Sequence, residues 1–119
     1  MVAVGYTSKG EIKELNCSDG KLYCNNRDLV SLQIPEGVIH VWCYNNKLTE
    51  LILPESVEIL SCWNNLLSKL IIPNGVKSVF CDKNLLSELI IPDSVEWLRC
   101  DKEVSGLEEL IGKIKIVLC

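Results

Sequence analysis

The chain has very little histidine and methionine. It holds one histidine, His40, and one methionine. No two cysteines stand at the CxxC spacing that zinc sites commonly use. There is no GxxxxGK[ST], HExxH or GxSxG, so phosphate-loop, zinc-protease and serine-hydrolase chemistry all lack their usual residues. Lysine and arginine are scattered and the net charge is −4, which leaves no basic stripe for nucleic acid. No apolar run approaches the roughly 18–20 residues of a membrane span. The opening MVAVGYTSKGE has neither a charged n-region nor a long apolar core, so it is not a classical secretory signal. These absences point to a protein with no catalytic residue, no metal and no cofactor, and with neither nucleic acid nor membrane as partner. The location expected is the cytoplasm, or a host's cytoplasm for a viral or secreted effector.

What is present is apolar and regular. Of 119 residues 48% are hydrophobic, enough for one domain with a modest core. Seven cysteines are an odd number, unlike the usual secreted disulfide framework. Without an export signal they read as free thiols in a reducing compartment.

Their positions expose the design. After Cys17 and Cys24, the cysteines recur every 19 residues at Cys43, Cys62, Cys81, Cys100 and Cys119. Pro35, Pro54, Pro73 and Pro92 keep the same beat. So do Asn46, Asn65 and Asn84, and the series Val38, Val57, Val76, Val95 and Ile114. A 19-residue unit cannot bury its apolar face alone, so the units must stack into a solenoid. Within VEILSCW the alternation is that of a short strand, with Leu60 and Cys62 inward and Ser61 outward. Turns IPEG, LPES, IPNG and IPDS suit a tight bend with proline fixing φ. Their last residue alternates as Gly37, Ser56, Gly75, Ser94, which points to a 38-residue duplication.

The units VIHVWCYNNKLTELILP, VEILSCWNNLLSKLIIP and VKSVFCDKNLLSELIIP resemble the leucine-rich repeat segment LxxLxLxxNxL, with cysteine in the third leucine slot. The LxIPxxV tail is similar to the short bacterial and giant-virus type. The likeness covers about residues 12 to 119. At its N-terminal side two overlapping matches compete: Ile12, Leu15, Cys17 and Leu22 with Gly20 in the asparagine slot, or Leu22, Cys24 and Leu29 with Arg27 there. At the C-terminal side Glu103 replaces asparagine. The resemblance implies a mainly β, α/β-type solenoid forming an arc, with a parallel β-sheet on its concave face. It also implies that Asn46, Asn65 and Asn84 point inward and bond backbone groups at the bend.

The expected organisation is one domain, with an N-terminal β cap at 1–24, repeats at 25–104 and a C-terminal cap at 105–119. The first cap reads as a meander, MVAVGYT, IKELNC and LYC, with a hairpin turn at Ser18-Asp19-Gly20. The second opens on a capping box, Ser105-Gly106-Leu107-Glu108, predicting a short helix over 106–112. Ile114, Val117 and Cys119 then re-enter the pattern, and the chain stops in mid-strand. That leaves an open edge or a surface that pairs with another copy.

The cysteines lie on the inward phase and read as small hydrophobes. In-register parallel strands hold neighbouring Cβ atoms at the strand spacing, beyond the roughly 3.8 Å of a disulfide. Three outward columns remain: His40, Ile59, Ser78, Trp97; then Tyr23, Trp42, Ser61, Phe80, Arg99; then Asn25, Tyr44, Trp63, Asp82, Asp101. They hold every aromatic except Tyr6. In the repeat family this face is the usual recognition surface, so the resemblance implies a protein partner bound through Tyr23, His40, Trp42, Tyr44, Ile59, Trp63, Phe80, Asp82, Trp97, Arg99 and Asp101. Asp82, Asp101 and Arg99 would form its polar border. Two other readings stand beside it: a self-associating structural module, and a carbohydrate-binding module whose aromatics stack on sugar rings. Ile52, Ile71 and Ile90 either point outward on the convex side as a packing stripe or tuck into the core.

Overall fold

The computed structural model describes all residues, Met1 to Cys119. In chain order its strands are β1 (Val2–Thr7), β2 (Ile12–Asn16), β3 (Lys21–Tyr23), β4 (Leu29–Gln33), β5 (His40–Trp42) and β6 (Ile59–Ser61). They continue as β7 (Lys69–Ile71), β8 (Ser78–Phe80), β9 (Glu88–Ile90), β10 (Trp97–Cys100) and β11 (Lys115–Leu118). The chain winds as a mainly β solenoid, 42 × 27 × 16 Å. One long face is a six-stranded parallel sheet in the order β11-β10-β8-β6-β5-β3. The opposite side is less regular, with only β7 and β9 paired in parallel.

The register of the face follows the sequence period. His40 pairs with Ile59, Ile59 with Ser78, and Ser78 with Trp97, each 19 residues on. The side chains between them pile up as interior columns. Leu22, Val41, Leu60, Val79 and Leu98 form one, and Cys24, Cys43, Cys62, Cys81 and Cys100 another, all fully buried. Val38, Val57, Val76 and Val95 enter from the proline corner. Leu48, Leu67, Leu51 and Leu70 enter from the back.

Two corners close each coil. At the first, Asn26, Asn45, Asn64 and Lys83 all take left-handed φ between 56 and 57°. Asparagine tolerates that conformation; lysine pays for its Cβ there. At the second corner two turn chemistries alternate. Gly37 and Gly75 sit at φ 100°, where a side chain would strain the backbone. In the next coil a serine takes the glycine's place. Ser56 Oγ accepts the Gly37 N–H (3.0 Å) and donates to the Val38 carbonyl (2.7 Å). Ser94 does the same to Gly75 and Val76. Each serine therefore ties its own coil to the glycine coil before it, which gives the 38-residue alternation a physical content.

The N-terminal strands form where expected, but not as a meander. β1 pairs antiparallel with β2 and, along its other edge, with β4. Asp19 and Gly20, both at positive φ, make the tight turn between Ser18 and Lys21. Past that turn β3 leaves β2 and joins the parallel face beside β5. The pairing Leu22 with Val41 selects the second of the two overlapping matches, the one with Arg27 in the asparagine slot.

No helix spans 106–112. The segment makes one 3-10 turn, Glu108–Leu110, and Ser105 provides no cap. Gly106 and Gly112 at φ 83 and 89° break the backbone on both sides, so too few residues remain for an α-helix. The last coil is also one residue short, because Trp97 pairs with Lys115, an offset of 18. A one-residue slip sends each side chain to the other face. Ile116 rather than Val117 follows Leu98 inward, and Cys119 is exposed while the other six cysteines are buried.

Candidate functional site

The parallel face brings its aromatic residues into ladders. Tyr23 and Trp42 stack with centroids 4.5 Å apart and planes 12° from parallel. Tyr44 and Trp63 stack one coil on, at 4.6 Å and 7°. Both separations match the roughly 4.7–4.9 Å between strands, so the period of the sheet sets the stack. His40 meets the Trp42 ring edge-on at 5.2 Å, and Phe80 meets Trp97 edge-on at 5.9 Å. Tyr23 is exposed, whereas His40, Trp42, Tyr44, Ile59, Trp63, Phe80 and Trp97 are half-buried by one another. The rings therefore stabilise their own sheet and still present edges to solvent.

The acidic residues of the expected border are engaged within the chain. Asp82 is 6% exposed and accepts the Arg99 Nε–H at 2.7 Å. That guanidinium lies 5.2 Å over the Phe80 ring. Asp101 turns its carboxylate to the backbone, accepting the Lys83 N–H at 2.9 Å and the Asn84 N–H at 3.2 Å. It supplies the acceptor half of what the asparagines supply at the earlier bends, while Glu103, in the asparagine slot, is exposed. The border thus consists of Arg99 and of Lys115, whose ammonium sits 5.6 Å over Trp97. Lys115 escaped the sequence reading because the short last coil placed it on this face.

The three asparagines hold the bends from inside. Asn46 Oδ1 accepts the N–H groups of Arg27 and Leu29, both at 3.0 Å, and its amide donates to the carbonyls of Cys24 and Cys43, both at 2.9 Å. Asn65 repeats this with Leu48, Cys43 and Cys62, and Asn84 with Leu67, Cys62 and Cys81. Each links two coils through backbone groups that have no strand partner.

Burial favours the protonated form of the thiols in the interior column. Burial pushes Cys24 up to about 12 and Cys100 to about 11 from the ordinary 9.0. Cys43, Cys62 and Cys81 are raised for the same reason, with neighbouring thiols adding to it. No three His, Cys, Asp or Glu side chains converge as a metal site would require.

On the opposite side Ile52, Ile71 and Ile90 point outward, 73, 51 and 46% exposed. Of the two placements left open by the sequence, the outward stripe is the one adopted. Lys69 and Glu88 flank it as an ion pair at 3.4 Å. No helix is long and apolar enough to cross a membrane. No protein-family model matches the chain, and neither a curated protein nor a solved structure matches it.

Proposed function

We propose that this chain is a leucine-rich-repeat recognition module that binds another protein through the concave, aromatic side of its arc. The observation that carries the reading is the pair of Tyr–Trp stacks, Tyr23 with Trp42 and Tyr44 with Trp63, held half-exposed on a preformed sheet. Tyrosine and tryptophan are the residues most enriched among binding hot spots. A buried aromatic contributes roughly 150–250 Å², so several reach the scale of the roughly 800 Å² per partner of a standard interface. Because the ladders are ordered before any partner arrives, little side-chain entropy is lost on binding. The family assignment is supported by the LxxLxLxxN-like spacing together with the inward amides of Asn46, Asn65 and Asn84.

Affinity capture, followed by titration of the purified partner, tests this. Trp63→Ala should remain folded, with a stability cost of about 0.5–1.5 kcal/mol from the lost stack. It should lose the partner. A variant that folds and binds as tightly as wild type overturns the proposal.

The exposed isoleucine stripe favours a second reading, a self-associating structural module packing through Ile52, Ile71 and Ile90 or through β11. Sedimentation at high concentration decides it: a strict monomer removes this reading.

A further inference from the structure

The back of the solenoid is not uniform along its length. Between the coils of β7 and β9 it closes, with Lys69 in register with Glu88 and Ile71 with Ile90. One coil earlier it parts. The Leu66 N–H still donates to the Leu48 carbonyl at 2.8 Å, and the Lys77 N–H to the Glu58 carbonyl at 2.7 Å. Between those two ties no backbone group of residues 49–53 bonds to another backbone group. A hollow of about 620 Å³ opens there, bordered by Ile52, Leu53, Ile71 and Pro73 with Glu50 and Lys69. A second hollow of about 370 Å³ lies on the other side of Ile52, toward β4, and Glu50 borders it too. Ile52 stands between the two as a ridge, more exposed than any other large apolar side chain of the protein. The parting also strands a charge. Lys69 pairs with Glu88 at 3.4 Å, whereas Glu50, exposed in the same column, pairs with no cation.

We infer that this back face binds a second copy of the chain, reversed end for end, with Ile52 of each copy seated in the larger hollow of the other. This rests on the reading of Ile52, Ile71 and Ile90 as a packing stripe and states how the stripe packs. A two-fold axis along the strand direction reverses the order of the coils. With Ile52 of the second copy in the larger hollow, its Ile71 falls one strand spacing further on, over the smaller hollow. Ridge meets hollow twice on each copy. The same step carries Lys69 of the second copy alongside Glu50, and by symmetry Glu50 of the second copy alongside Lys69. The contact therefore fills both hollows and gives the stranded carboxylate a cation. A two-fold axis along the solenoid would instead set Ile52 on Ile52 and Glu50 on Glu50, ridge against ridge and like charge against like. An isologous contact closes on itself, so the product is a dimer and not a filament. The aromatic face lies on the opposite side of the coils and stays free in it.

Sedimentation equilibrium from about 10 μM to about 1 mM tests the dimer. Wild type should pass from monomer to dimer across that range. Ile52→Arg should stay folded, since the side chain is exposed, and should weaken association by about tenfold or more. Glu50→Lys and Lys69→Glu test the register. Each alone places like charges together at both symmetry-related contacts and should weaken its own dimer by about tenfold. An equimolar mixture of the two variants restores opposite charges at both contacts and should associate within about threefold of wild type. A mixture no stronger than either variant alone overturns the inference, as does a wild-type dimer indifferent to Ile52→Arg. In those cases self-association through β11 still stands, whereas a strict monomer at about 1 mM removes both. Loss of a partner on Trp63→Ala is read separately, so recognition by the aromatic face stands or falls independently of these results.

Discussion

Asn65 uses both ends of its amide on backbone groups that nothing else can satisfy. Its oxygen takes the Leu48 N–H and its nitrogen reaches the carbonyls of Cys43 and Cys62. Asn65→Leu keeps the volume but strands these groups in the interior, and should cost about 1–3 kcal/mol in urea unfolding. A loss within about 0.5 kcal/mol, the scale of an ordinary surface substitution, would remove the amide's structural role. Lys83 is a second test at this scale. It occupies the left-handed corner that asparagine fills at Asn26, Asn45 and Asn64. Lys83→Asn leaves the backbone bond to Asp101 intact and should raise stability by about 0.5–1 kcal/mol, seen as a higher urea midpoint. The recurrence of asparagine at both places was visible in the sequence. The reason for the corner residue was not, because a lysine in the fourth unit hides the backbone rule that the other three obey.

Among the elements, the last coil departs furthest from the pattern. Eighteen residues instead of 19 separate β10 from β11 in register, and the thiol that the repeat would bury comes to the surface. In the native protein an aromatic disulfide reagent should therefore titrate one thiol promptly, Cys119, and all seven after denaturation. Cys119→Ser should abolish the fast phase; three or more fast thiols would refute the closed interior. Counting residues could not reveal the slip. The spacing from Cys100 to Cys119 is still 19, and only the path through Gly106, the 3-10 turn and Gly112 shows that one residue is left over. The capping box failed as a signal for a similar reason. Ser105 and Glu108 have the right spacing, but the glycine between them turns the backbone away from a helix.

For the whole molecule, the buried thiols make stability depend on alkaline pH. Cys24, Cys43, Cys62, Cys81 and Cys100 all have raised values in the folded state because burial penalises the thiolate. In the unfolded chain they ionise near the ordinary 9.0. Above that pH the unfolded state holds fewer protons than the folded one, so stability falls as pH rises. Each thiol should remove about 1.4 kcal/mol per pH unit until its own folded value is reached, first for Cys100 at about 11. Urea midpoints should therefore hold up to about pH 8 and then drop steeply toward about pH 10.5. Replacing Cys43 and Cys62 with alanine should flatten that slope even as it lowers stability at neutral pH. An unchanged slope would mean that these thiols are not shielded from water in the native state.

The repeat period, the inward cysteine and valine columns and the outward aromatic columns are properties of the sequence alone. A strict period in a chain of short apolar strands leaves stacking as the one way to bury them, and period-two alternation assigns each residue a side. Which candidate residues stay available at the site was decided by packing. Asp82 and Asp101 read as a charged border, yet one neutralises Arg99 and the other satisfies the bend above it. The direction of Ile52, Ile71 and Ile90 was likewise open until the back of the coil formed, because the irregular backbone there obeys no fixed alternation.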